Sequence, residues 1–289
     1  MSEIAITHCP ICNSTNLRRK WSVKDESISK ETFRLSQCES CSFLFTNPQP
    51  SSQDLWKYYQ SEDYVSHSKS TKGFINYWYR KIQKLNLSLK FKAIKSYVPR
   101  GTWLDYGAGA GDFVKYIKSK GIKIDGLEPS ETARKTAASH SIRLDDPSAI
   151  QHIPNNSIAC ITLWHVLEHI SDFYNILQKL TALLKPDGIL VIAVPNYLSL
   201  DGQKYAENWA ALDVPRHLWH FTQHDIAHIA ESLNLDLVKT SGMVFDSFYV
   251  SLLSEKYLHG SKMNGLFNGL QSNLSAWKNK TPYSSQITF

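Results

Sequence analysis

Cys9-Pro10-Ile11-Cys12 and Cys38-Glu39-Ser40-Cys41 set two C-x-x-C knuckles on either side of a 25-residue loop. Each knuckle turns two thiolates toward one point, and two knuckles supply the sulfur tetrahedron that Zn2+ accepts. Four sulfurs close the coordination shell against water, so a metal held there is structural. A second constellation lies in "WLDYGAGAGDF", where an apolar run delivers Asp105 into Gly107-Ala108-Gly109-Ala110-Gly111-Asp112. Glycines let the backbone turn tightly and lie directly against a ligand, where any Cβ would collide. Glu128 follows about 20 residues later, the spacing at which a carboxylate accepts both hydroxyls of a ribose.

The ligand is then a nucleoside, and its charge can be read as well. A dinucleotide fingerprint is G-x-G-x-x-G and rests a pyrophosphate on a helix N-terminus. This chain has G-x-G-x-G, with Asp112 opening the helix. A carboxylate there repels phosphate, whereas Asp105 and Asp112 together suit a ligand bearing ammonium or sulfonium charge. S-adenosylmethionine carries both cations and no phosphate.

Two further stretches hold histidines. "LWHVLEHI" contains His165-Val166-Leu167-Glu168-His169, the H-x-x-E-H order of one class of zinc peptidases. It follows the apolar run 158–163 and precedes a helix capped near Ser171, so it reads as a strand-end turn, with His169 a hydrogen-bonded structural residue. In "VPRHLWHF", His217 and His220 are candidate general bases, since imidazole takes protons near neutral pH. His220, His224 and His228 are spaced by four, but Thr222 and Asp225 form a capping box that leaves His220 outside the helix.

The elements that must position these residues follow from periodicity. Strands are expected at 102–106, 122–127, 141–144, 158–163, 188–194, 235–240 and 284–289, with helices at 112–119, 130–139, 172–184, 222–233, 248–258 and 266–277. That alternation is the order of a parallel sheet wrapped by helices, an α/β doubly wound class. An amphipathic helix over 74–98 places Leu85 and Leu89 on an apolar face and Lys84, Lys90, Lys92 and Lys95 on a solvated one. Domain boundaries are expected as 1–46, a zinc-binding ribbon; 47–98, a linker and capping helix; and 99–289, the main domain. The chain has 289 residues, 42% of them hydrophobic, and a net charge of +6. That charge is far from the dense basic footprint of a nucleic-acid binder. No apolar run approaches a bilayer span and the start lacks a secretion signal, so a cytoplasmic protein without a membrane partner is expected.

Residues 102–240 resemble the class I S-adenosylmethionine-dependent methyltransferases, on "WLDYGAGAGDF", "GLEPS", "LWHVLEH" and "LLKPDGILVIAVPN". The four-cysteine knuckle and "LDVPRHLWHF" resemble one branch of that family. The resemblance implies a Rossmann-like sheet of seven strands with the last antiparallel. It implies that Asp105, Gly107, Ala108, Gly109 and Gly111 surround the methionine part, and that Glu128 and Pro129 hold the ribose. Asp145 or Asp146 would meet the adenine, and Leu163, Trp164 and His165 would line the floor. The expected activity is methyl transfer to a small-molecule acceptor, preferably at oxygen: a sugar, a phenol or quinone, or a polysaccharide precursor. Two competing readings are an RNA or protein methyltransferase that docks through the zinc unit, and a cofactor-binding module without turnover.

Overall fold

The computed structural model describes residues 3–59 and 74–289. Five short strands come first: β1 (Glu3–Ile4), β2 (Leu17–Lys24), β3 (Thr32–Cys38), β4 (Leu44–Thr46) and β5 (Gln49–Pro50), then a helical turn α1 (Ser52–Leu55). The long helix α2 (Phe74–Ile94) leads to β6 (Thr102–Tyr106), α3 (Asp112–Lys118), β7 (Ile124–Leu127) and α4 (Glu131–Ser139). Next are β8 (Ile158–Trp164), α5 (Phe173–Leu183), β9 (Leu184–Pro195), α6 (Leu200–Tyr205), β10 (Trp219–His220) and α7 (Gln223–Ser232). The chain closes with β11 (Thr240–Gly242), α8 (Asp246–Tyr257), α9 (Lys262–Asn279) and β12 (Ser285–Thr288).

A six-stranded sheet runs in the order β11-β12-β9-β8-β6-β7. Neighbours β7, β6, β8 and β9 are parallel, and β11 pairs with β12 antiparallel. The expectation of seven strands is corrected to six among the described residues. The segment 141–144 forms no strand: Ser141 takes a left-handed φ of 60°, and only Asp145 bridges to Leu127. The strand expected at 235–240 is also absent, and a shorter one starts at Thr240. Leu237 and Val238 are both exposed, so no buried face fixes a register there.

The chain divides into two compact units, Met1–Ser70 with Glu168–Ser171 and Val194–Thr288, and Thr71–Leu167 with Asp172–Ala193 and Phe289. In the first, β10-β4-β3-β2 form a second sheet whose β10 comes from the histidine-bearing segment and pairs antiparallel with β4. Its core includes Val23, Leu35, Leu44, Tyr197, Trp209 and Leu212, beside rings of Phe43, Trp219 and Phe221 packed 5.5 to 6.2 Å apart. The Thr222 and Asp225 capping box forms at the start of α7 as read from sequence.

Helix α2, in the second unit, departs from its predicted orientation. Leu85 and Leu89 are exposed, and Ile94 is the buried anchor near its end. The polar residues Gln83, Asn86 and Lys90 instead line a cleft. An amphipathic pattern finds an apolar face but cannot tell whether the opposite face meets water or a polar site.

Candidate functional site

The parallel register of β6 and β8 sets Asp105 beside Thr162, whose hydroxyl donates to the Asp105 carboxylate at 2.6 Å. Asp105 is buried, and that burial pushes its carboxyl up to about 7 despite the Thr162 bond and the nearby Lys90 cation. Past the strand end the chain bends through Gly107 and Gly109, with φ of 77° and 54°. A Cβ on Gly107 would strike Val166 at 2.5 Å. One on Gly109 would meet nothing within 4 Å, so that stretch of backbone fronts open space. Glu128, one strand away, accepts from the Gly109 N–H at 2.7 Å and the Ser130 N–H at 2.9 Å, which ties the loop to β7.

Asp105 and the glycine bend open onto a cleft of about 280 Å³, and Glu128 stands behind the loop rather than among its lining residues. Its walls are Asp105, Gly107–Ala110, Asp112, Phe113 and Trp164, and α2 covers it with Gln83, Asn86, Leu87 and Lys90. Phe113 meets the Trp164 ring edge-on at 5.2 Å, and the Lys90 ammonium sits 4.5 Å from the same ring's centroid. Gln83 donates to Asp112 at 2.8 Å. The indole N–H of Trp164 is buried without a hydrogen-bond partner among the described residues. A buried donor left unmet and an open glycine edge are features that a polar ligand would satisfy. The α2 contribution escaped sequence reading because Lys90 looked like one of a row of solvated lysines.

The other residues singled out from sequence are placed as follows. Ala108 donates its N–H to the Leu127 carbonyl, and Gly111 caps α3 in the left-handed region. The Pro129 carbonyl accepts from Arg134 at 2.8 Å. Asp145 is held by Arg143 at 3.3 Å, while Asp146 caps the turn at Ser148 and pairs with Arg134 at 3.2 Å. Neither aspartate lines the cleft just described. Leu163 is fully buried in β8, and His165 turns the chain at a φ of 57° while donating its N–H to the Ala193 carbonyl.

A family model described as a methyltransferase domain matches residues 77–240, which is more than half of the chain and includes every wall of this cleft. The chain belongs to the methyltransferase-domain family. It is 34% identical over 105 residues to a ubiquinone biosynthesis O-methyltransferase of Actinobacillus pleuropneumoniae, covering 32% of this chain and 45% of that protein. A protein of the same name from Rhodopseudomonas palustris is 27% identical over 159 residues, covering 50% of this chain and 61% of the relative. The chain thus spans about half the length of the curated relatives it matches. Among solved structures it is similar to Haemonchus contortus phosphoethanolamine N-methyltransferase 2 in complex with S-adenosyl-L-methionine. The TM-score is 0.50 at 17% identity, over 85% of this chain and 61% of that one, and the likeness shows the shared α/β fold alone.

This methyltransferase-domain chain has a second candidate centre in its first unit. The Sγ atoms of Cys9, Cys12, Cys38 and Cys41 all lie within 4.8 Å of one another. The two knuckles repeat one backbone design. Asn13 and Ser42 each follow the second cysteine in the left-handed region, and each donates its N–H to the carbonyl of the first, Cys9 and Cys38, at 2.9 Å. Burial drives the Cys9 thiol up to about 11. At Cys38 burial also resists ionisation, yet the N–H groups of Cys41 and Ser40 draw it down to about 7.

The histidines of the same unit form a cluster. His217 Nδ1 lies 2.8 Å from the Ala211 carbonyl, which can only accept, so Nδ1 carries the proton and Nε2 the lone pair. Asp213 Oδ2 is 4.0 Å from that Nε2. His169 meets the His217 ring edge-on at 4.6 Å, and its Nδ1 reaches both the Arg216 carbonyl and the Tyr59 hydroxyl at 3.0 Å. Burial, with His217 alongside, lowers His169 to about 4. His220, 3.4 Å from the Thr46 hydroxyl, is lowered by burial to about 3. Ligand atoms of Glu168, His169 and His217 also lie within 4.8 Å of one another, the arrangement of a set able to hold a cation. Sequence reading treated Glu168 and His169 as parts of a turn. The signal available was their pairing in one dipeptide, which the rejected peptidase match had already marked.

Proposed function

We propose that this chain transfers a methyl group from S-adenosylmethionine to an oxygen of a small phenol- or quinone-type acceptor. The observation that carries the reading is a pair of carboxylates on either side of the glycine bend, Asp105 buried beneath it and Glu128 tied to Gly109. In this reading Glu128 accepts ribose hydroxyls next to Pro129, and Gly107, Ala108, Gly109 and Gly111 surround the methionine part. Asp105 favours the cationic methionine end, and Lys90 is suited to its carboxylate. Trp164, with Leu163 behind it and His165 after it, forms the floor, and its unmet indole N–H suits an acceptor atom of the nucleoside. Asp145 or Asp146 serves the adenine only if the ion pairs to Arg143 and Arg134 rearrange. The oxygen preference draws on the two relatives, both ubiquinone biosynthesis O-methyltransferases.

When bound, S-adenosylmethionine supplies the methyl group and leaves as a neutral thioether. The protein's part is alignment, exclusion of water and, for a hydroxyl acceptor, removal of a proton. His217 is the base in this reading: its proton is spent on Ala211, its Nε2 lone pair is available, and Asp213 would stabilise the imidazolium. His220 is the other candidate, and burial holds it neutral far below neutral pH.

The test is calorimetry with S-adenosylmethionine, S-adenosylhomocysteine and NAD, followed by transfer of labelled methyl to a phenol panel. Heat with the first two and label in a phenolic product are expected, and His217→Asn should lower turnover about a hundredfold or more while leaving cofactor affinity unchanged. Tight uptake of NAD instead would overturn the reading. Lys90→Met should weaken both adenosyl compounds about tenfold, through loss of one charge-assisted contact. An unchanged calorimetric Kd would remove Lys90 from the site.

The four cysteines are proposed to hold one structural Zn2+. Cys9→Ser with Cys38→Ser should abolish zinc in elemental analysis and cost the first unit on the order of 10 kcal/mol. Cofactor affinity, which belongs to the second unit, should survive. A zinc-free wild-type chain with unchanged circular dichroism would refute the assignment.

A further inference from the structure

Helix α9 is built inside out. Gly265, Asn268, Gly269, Ser272 and Ala276 are its buried residues. A Cβ on Gly265 or Gly269 would come within 2.8 Å of the α8 backbone at Leu252 or Phe248, so the two helices touch where side chains are missing. The inward polar groups are satisfied: Asn268 donates to the Tyr205 hydroxyl at 2.7 Å and Ser272 to Asp201 at 2.6 Å. Glycine spacing and these bonds together fix the helix's rotation. Its large apolar side chains must then point outward. Met263, Phe267 and Trp277 are 72%, 63% and 67% exposed, and Leu266, Leu270 and Leu274 stand between them. These positions recur at steps of three and four, which gathers them into one stripe about 20 Å long.

The charge around the stripe identifies its occupant. From Lys256 to Phe289 the chain has four lysines, Lys256, Lys262, Lys278 and Lys280, and no aspartate or glutamate. Lys262, Lys278 and Lys280 are exposed at the two ends of α9. A twofold pairing with a second copy would bring lysines together with no acidic residue on the helix to meet them. An aromatic and leucine stripe flanked by lysines is instead the pattern of a helix that lies in a lipid interface. No helix among the described residues is long and apolar enough to cross a membrane. We infer that α9 docks this protein on the surface of a bilayer containing anionic lipid. The expectation of no membrane partner weighed only spanning segments and signals, so it did not address this face.

The test is sedimentation of the full chain with phosphatidylcholine vesicles, with and without phosphatidylglycerol. Binding to the anionic vesicles, weakened by added salt, is expected. Phe267→Glu with Trp277→Glu should lower the partition coefficient on the order of a hundredfold, with far-ultraviolet dichroism and S-adenosylhomocysteine affinity unchanged. Because that variant could alter folding, Lys278→Glu with Lys280→Glu provides a second reading, in which binding to anionic vesicles should fall several-fold and depend less steeply on salt. The inference fails if the wild-type chain stays in the supernatant with both vesicle types, or if the variants bind as the wild type does. It also fails if ultracentrifugation finds a dimer that Phe267→Glu with Trp277→Glu dissociates, since the face would then join two copies.

Discussion

Arg216→Met is expected to destabilise the first unit by about 3–5 kcal/mol, because it strands two carboxylates that the guanidinium now neutralises. Arg216 is buried and donates to Asp25 at 3.1 Å, to Asp213 at 2.6 Å and to the Tyr58 carbonyl at 3.0 Å. Asp25, itself buried, also accepts from the Ser29 N–H at 2.8 Å. Burial alone would raise its carboxyl, but the bonds from Arg216 and Ser29 prevail and hold it well below the usual carboxylate range. A carboxyl depressed in the folded state contributes stability that is present above its unfolded value near pH 4, and that contribution fades as the pH falls below it. Urea unfolding of the wild type should therefore be insensitive to this group from neutrality to about pH 5 and weaken below pH 4. Asp25→Asn should begin less stable and show less of that acid loss. Equal urea midpoints for wild type and Arg216→Met would show that the network contributes nothing.

Asp105→Asn should make the free protein more stable and the cofactor complex weaker. The folded Asp105 carboxyl, pushed up to about 7 by burial, binds a proton more tightly than in the unfolded chain. Stability therefore falls as pH rises from about 4 to 7, and the full penalty stands above 7. Asparagine keeps an acceptor for the Thr162 hydroxyl and carries no charge, so a gain on the order of 2 kcal/mol is expected near pH 8. Affinity for S-adenosylmethionine should drop about a hundredfold, since a cation loses its buried carboxylate. For wild type, binding should release a proton below pH 7, visible as calorimetric heats that depend on the buffer. A variant without gain in thermal midpoint and with unchanged Kd would show that Asp105 is only structural.

The sequence carried the parts of the site that depend on local geometry. Gly107 to Gly111 could be recognised because φ above zero restricts the residue type, and Glu128 because a strand and a turn set its distance. The cysteine knuckles were legible for the same reason, each being complete within five residues. What could not be read needed tertiary information. Lys90 belongs to a helix whose polar side faces the cleft, and no periodicity distinguishes a cleft from water. The missing strand at 141–144 is a matter of partner availability: the segment has apolar residues, but Asp145 alone makes the bridge. The outward stripe of α9 was hidden by its glycines, which read as weak helix formers until α8 is seen to lie against them.

The antiparallel pairing of Trp219 with Phe45 and His220 with Leu44 has a consequence for anyone shortening this protein. β10 is two residues long, and its only strand partner among the described residues is contributed by the cysteine-bearing N-terminus. Cutting the chain after Thr46 would not detach an accessory module. It would leave the stretch carrying Arg216 and His217 without its template, so the two segments must be kept, expressed and redesigned as one piece.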